Sequence, residues 1–121
     1  MDKEQALHEF WSGFNIPAYD ENSVPDTATM PYITYNVSVD AMDAVLPLSG
    51  SIWYDSTNWR DITLKEHEIE HKIGYAGIIR PITDGYMMLY KGTPFAQRIA
   101  NEKSNIKQIY INIGVEFLTE E

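Results

Sequence analysis

Cysteine is absent from the 121 residues, and Lys and Arg are scarce, nine against eighteen Asp and Glu. The first absence removes any disulfide framework and any thiolate-ligated metal, and it agrees with a reducing compartment. The second leaves a net charge of −9 and a pI near 4.6. Nucleic-acid binders neutralise phosphates with clustered Lys and Arg. Here Lys3, Arg60, Lys65, Lys72, Arg80, Lys91, Arg98, Lys103 and Lys107 stand singly, so specific nucleic-acid binding is not expected. The acidity serves solubility, and it also suits a surface that must repel DNA, such as the lining of a DNA-conducting channel. Long apolar runs are missing too, and the mean hydropathy is −0.32. That excludes a transmembrane helix, so no membrane partner is expected. No basic-then-apolar leader follows Met1, so no signal peptide is expected either.

What is present has an ordinary globular composition, 44% hydrophobic and 22% charged. At this length it supports one core, and a single domain over residues 1–121 is expected. Lys3 to Phe14 predicts an amphipathic helix with Leu7, Phe10, Trp11 and Phe14 on one face, ended by Gly13 and Pro17. Residues 15–31, punctuated by Pro17, Pro25 and Pro31, read as a long irregular loop of the kind that binds partners. Ile33, Tyr35, Val37 and Val39 alternate with polar residues as a strand. A connection from Asp40 to Pro47 then leads to a second, antiparallel strand over Leu48 to Tyr54. A helix is expected from Trp59 to Tyr75, capped by Ser56 or Asn58 and stopped by Gly74 and Gly77. Its apolar stripe is Ile62, Ile69, Ile73 and Ala76.

Thr83-Asp84-Gly85 between Ile78–Ile82 and Tyr86–Lys91 signals a hairpin. Gly92-Thr93-Pro94-Phe95 breaks the second strand, and a short helical turn is admitted from Ala96 to Asn105. Ile109, Ile111, Ile113, Val115 and Phe117 alternate as a final strand with one apolar face. The order α-β-β-α-β-β-β predicts an α+β fold, two helices on one face of a mainly antiparallel sheet of about five strands. Tyr32, Thr34, Asn36, Tyr110, Asn112 and Glu116 fall on the other face, which suits solvent or a wet protein contact. Trp53, Tyr54 and Trp59 are assigned to core packing rather than to a ligand-stacking platform.

One string carries apparent enzymatic chemistry. His67-Glu68-Ile69-Glu70-His71 satisfies H-E-x-x-H, in which two histidines one helical turn apart grip zinc and the Glu activates a metal-bound water. Around the helix, however, both histidines lie about half a turn from Ile62, Ile69 and Ile73, towards solvent. Catalytic zinc needs a third protein ligand and partners behind the ligands. The only other histidine is His8, and no Glu occurs between Glu70 and Glu102. The string reads equally as a charged helix face with Glu68 paired to Lys72. His67 and His71 remain only a weak surface metal site, and no enzymatic activity, catalytic residue or cofactor is expected.

Phe14-Asn15-Ile16-Pro17-Ala18-Tyr19 with its acidic loop, Pro31-Tyr32-Ile33-Thr34-Tyr35, Ser51-Ile52-Trp53-Tyr54, Gly92-Thr93-Pro94-Phe95-Ala96-Gln97-Arg98 and Tyr110-Ile111-Asn112-Ile113 together span nearly the whole chain. In this pattern the chain resembles the tail terminator and related head–tail joining proteins of long-tailed bacteriophages, often labelled minor capsid proteins. The resemblance implies a structural virion protein, a homo-oligomeric ring, typically a hexamer, at the junction of tail and head. Such a ring caps the tail tube, touches the major tail tube protein and the head connector proteins, and is assembled in the host cytoplasm. DNA would pass through its acidic lumen without specific binding. It also makes Asp20, Glu21 and Asp26 in the acidic loop, and Thr93, Pro94, Phe95 and Arg98, candidate interface residues. Phe95 can equally fill the core at a strand end, and Arg98 can equally be a solvated side chain. Two other classes use parts of the chain: a minimal zinc metallopeptidase on the HEIEH helix, and a small acidic inhibitory or DNA-mimic binding module acting through the acidic loop.

Overall fold

The structure, a computed structural model, describes residues 1–37, 46–99 and 105–119. The first helix, α1 (Lys3–Trp11), starts where the sequence supplies a reciprocal cap. Asp2 Oδ1 accepts from the Gln5 backbone N–H at 2.8 Å, and Gln5 Oε1 accepts from the Asp2 N–H at 2.9 Å. Two donors that a helix start leaves open are thereby satisfied. Gly13 does not stop the chain as expected. The helix tightens into a 3-10 turn, Ser12–Phe14, and Asn15 leaves it in the left-handed region at φ 64°.

The segment expected to be irregular, 15–31, contains a strand. β1 (Ala18–Asp20) pairs in parallel with β2 (Tyr32–Tyr35), with Ala18 opposite Ile33 and Asp20 opposite Tyr35. β2 runs antiparallel to β3 (Leu46–Asp55), as expected of the first two long strands. Most of the intervening connection, including Asp40, lies outside the described residues, as does Val39. The second helix, α2 (Arg60–Ile73), follows. Asn58 Oδ1 accepts from the Arg60 N–H at 2.9 Å, so Asn58 caps from one residue outside the Trp59 boundary. Ala76 lies beyond the helix and is exposed.

β4 (Ile78–Ile82) and β5 (Gly85–Ile99) form the expected hairpin, with Ile82 opposite Gly85 and Asp84 at φ 65° in the tip. β5 does not end at Gly92. It reaches Ile99 across a bulge in which residues 92–95 stand against Asn112 alone, because Lys91 pairs Ile113 and Ala96 pairs Ile111. The Thr93–Pro94 peptide is cis, and bulges are where proline is tolerated inside a sheet. The helical turn admitted from Ala96 is therefore strand up to Ile99, and 100–104 lie outside the described residues. β6 (Ile106–Thr119) pairs both β5 and β3 and is the central strand.

The expected sheet of about five mainly antiparallel strands is thus corrected to six mixed strands, β1-β2-β3-β6-β5-β4, with one parallel pair at an edge. Both edge strands, β1 and β4, touch α1, so the sheet curls around that helix. The Thr83 N–H also donates to the Met1 carbonyl at 2.6 Å, tying the chain start to the β4–β5 tip. One apolar cluster joins Leu7, Phe10 and Trp11 of α1, Ile62, Ile69 and Ile73 of α2, and the inward residues of β2, β3, β5 and β6. Each such fully buried side chain contributes about 1.5–3 kcal/mol relative to exposure. Lys65 of α2 donates to the Phe14 carbonyl at 2.6 Å and so links the two helical segments. No helix among the described residues is long and apolar enough to cross a membrane.

Candidate interaction surfaces

The outer face of the sheet is closed by polar pairs. Trp53 Nε1 donates to Thr34 Oγ1 at 2.9 Å, Asn36 brackets Ser49, and Gln108 Nε2 donates to Ser51 Oγ at 2.9 Å. Trp53 therefore lies on this face, against the expectation that it packs in the core, because it is the cross-strand partner of Tyr32. Tyr54 and Trp59 do pack against the core. Towards the β4 edge the face turns apolar. Ile79 is 55% exposed, Tyr86 55% and Leu118 46%, and the register puts all three on the same side as Met88 and Glu116.

On α2 the HEIEH string divides as its spacing demands. Ile69 is fully buried and His67 and His71 are exposed. Glu68 bonds Lys65 at 3.1 Å rather than Lys72, whose ammonium lies 5.3 Å from the Phe14 ring centroid. Among the described residues no group of three or more His, Cys, Asp or Glu side chains is placed to hold a metal ion.

His8 belongs to a different constellation. Its Nδ1 lies 2.7 Å from Tyr35 Oη and its Nε2 3.2 Å from Ser12 Oγ, in a groove bordered by Glu4, Glu9 and Asp20. The order Ser–His–Tyr imitates a nucleophilic triad, but the third member differs in kind. Burial first, then the Asp20 and Glu4 charges, push the Tyr35 pKa up, so it stays a neutral hydroxyl at neutral pH. It cannot stabilise an imidazolium as a carboxylate does. The bonds anchor α1 to β2 instead.

Glu66 is the polar residue that the reading of α2 passed over. It falls one turn from Ile62 and from Ile69 and two turns from Ile73, on the apolar stripe, and that spacing alone marks it as facing inward. It lines a narrow cleft with Thr63, Ala96, Arg98 and Ile109, and its Oε2 is buried without a hydrogen-bond partner among the described residues. Burial and then Glu70 raise its pKa, with His67 and Lys91 opposing. A carboxyl whose folded pKa exceeds its unfolded value holds its proton longer in the folded state. Stability is then lost as pH rises from the unfolded value through the raised one. Glu66→Gln is expected to raise the melting temperature at neutral pH and to flatten the loss of stability as pH rises above the ordinary carboxylate range, checked by thermal melts at a series of pH values. An unaltered profile would show that the buried oxygen is hydrated.

The residues assigned to an interface fall in separate places. Asp20 sits in β1 beside the His8 groove, and Glu21 and Asp26 are exposed. Thr93 and Pro94 are exposed on the bulge, where Asn112 Nδ2 donates to the Pro94 carbonyl at 2.9 Å. Phe95 packs against the core. Arg98 is exposed but fixed, its guanidinium 4.7 Å from the Trp59 ring centroid and Nη2 donating to Thr63 Oγ1 at 3.3 Å. It shares a cleft with Trp59, Arg60, Leu64 and His67 that spacing along the chain could not reveal, since Arg98 and Trp59 are far apart in sequence. The chain matches no family model, no curated protein and no solved structure.

Proposed function

We propose that the chain is a structural virion protein, a ring-forming tail terminator or head–tail joining subunit of a long-tailed phage, and not an enzyme. The observation that carries this reading is one-sided construction. Both helices cover one face of the sheet, and the other face leaves Ile79, Tyr86 and Leu118 in solvent beside polar and tyrosine side chains. An exposed patch of apolar and aromatic residues with a polar surround is the composition of a protein–protein contact. The pattern likeness along the chain supplies the particular assembly. Copies of the chain, the major tail tube protein and the head connector proteins are the partners in this reading. The net charge of −9 would keep DNA moving through the ring without adhesion. The exposed placement of His67 and His71 supports the non-enzymatic side of the proposal.

In solution, mass measurement and negative-stain imaging are expected to show closed rings, at high concentration or when tail tube protein is added. Adding the protein to polymerising tube protein is expected to stop elongation and narrow the length distribution. A strictly monomeric protein that leaves tube length unchanged overturns the proposal.

A further inference from the structure

We propose that copies of this chain dock head to tail through opposite charge, the α1 groove carboxylates Glu4 and Glu9 of one copy meeting Arg60 and Arg98 of the next. This rests on the assembly reading above and assigns the surfaces that such an assembly would use. Residues 4–59 carry eight Asp and Glu and no Lys or Arg, while residues 60–107 carry eight of the nine Lys and Arg beside six Asp and Glu. The fold turns this sequence asymmetry into a spatial one. The first stretch supplies β1, β2 and β3 on one side of the sheet and the second supplies β5 and β4 on the other, with β6, almost all of it beyond residue 107, standing between them. α1 likewise belongs to the acidic stretch and α2 to the other.

Each side presents a formed patch. On the acidic side Glu4 and Glu9 are exposed on the rim of the groove that also holds Asp20. On the other side Arg60 and Arg98 line the Trp59 cleft, and among the described residues no carboxylate lies within 4 Å of either guanidinium. Arg98 is held on the Trp59 ring, so little side-chain freedom remains to be lost on docking. Leu64, 56% exposed in the same cleft, adds an apolar contact. An aromatic ring and arginines are the residue types in which strong contact centres are enriched. A chain of net charge −9 repels its own copies, so self-association requires local complementarity of this kind. The two patches share no residue, so the contact is heterologous and repeats around a ring or along a filament.

The test is a charge exchange. Glu4→Lys/Glu9→Lys and Arg60→Glu/Arg98→Glu are each expected to weaken self-association by on the order of tenfold or more. An equimolar mixture of the two variants is expected to recover it, because each reversed patch then meets a complementary one. Circular dichroism matching the parent verifies that these exposed substitutions fold. Assembly that is indifferent to both reversals, or a mixture that fails to recover, overturns this docking and leaves the ring reading standing. A parent chain that stays monomeric at every concentration and with tail tube protein added, and that leaves tube length unchanged, removes both. Binding of poly-glutamate at the Arg60/Arg98 patch without self-assembly assigns the patch to a foreign acidic protein and likewise overturns the proposal.

Discussion

Trp11→Ala is expected to destabilise the fold by about 3–5 kcal/mol, a fall in melting temperature of roughly 10–20 °C. Trp11 is 1% exposed and stacks on Tyr35 with ring centroids 6.3 Å apart, while Phe10 meets it edge-on at 5.0 Å. It therefore joins α1 to β2 and β3. The space for the indole is made by Gly50. A Cβ there would lie 2.8 Å from Trp11 Cη2, 3.0 Å from Cζ2 and 3.1 Å from the Thr34 carbonyl oxygen. Gly50→Ala alone is expected to cost about 1–3 kcal/mol through overpacking. The smaller ring of Trp11→Phe removes the atoms in the way, so Gly50→Ala/Trp11→Phe is expected to be more stable than the sum of its singles. Urea unfolding of the four proteins checks this. Strict additivity would show that Gly50 is constrained by the Thr34 backbone and not by the indole.

Much of this arrangement is written in periodicity. α1, α2, β2 and β6 follow from alternation or from three- and four-residue spacing, because each buries one face and the buried residues recur, and the β4–β5 tip follows from the turn chemistry of Asp84-Gly85. What periodicity cannot show is a strand too short to complete a period. β1 has three residues, Ala18–Asp20, and exists because β2 lies beside it: the Ile33 N–H bonds the Pro17 carbonyl at 2.8 Å and the Glu21 N–H bonds the Tyr35 carbonyl at 2.9 Å. Its pairing is a property of the fold and not of the segment. The same is true of Gly92-Thr93-Pro94-Phe95, which locally reads as a stop. A neighbouring strand can keep pairing past an insertion if the extra residues bulge outwards, and only the register of β6 reveals that it does.

The candidate surfaces divide in the same way. The exposure of His67 and His71 follows from the helical stripe that buries Ile69, and so does the inward position of Glu66, a carboxylate on an apolar face. Arg98 on Trp59 depends on β5 continuing through the bulge and on β6 carrying it back towards α2. A reading that ends the strand at Gly92 leaves Arg98 without an address. The outer-face position of Trp53 was equally hidden, since its neighbour Ile52 is the inward residue and both are apolar. Its bond to Thr34 lets a large ring lie on a solvent-facing sheet without leaving its N–H unpaired.

Gly92→Ala is expected to damage stability and assembly together. A Cβ at position 92 would stand 2.8 Å from the Asn112 Cβ and 2.9 Å from its carbonyl carbon and oxygen. None of these atoms is the free end of a side chain, so the strand itself would have to move. β6 cannot yield locally, because the same residues that face β5 pair on their other side with β3, Asn112 with Ser49 and Ile111 with Gly50. The cost is about 1–3 kcal/mol or somewhat more. The chain's easiest escape is to release the distal part of β5, breaking the Asn112–Pro94 bond and withdrawing Arg98 from the Trp59 ring. The variant is therefore expected to melt lower, to show an altered Trp59 indole resonance and to self-associate less, whereas Thr93→Ala, at an exposed position on the same bulge, is expected to leave the melting temperature and the Trp59 resonance unchanged. An unchanged melting temperature in Gly92→Ala would mean that β6 does give way at Asn112, and the bulge would then no longer account for a strand that survives glycine, threonine and proline in succession.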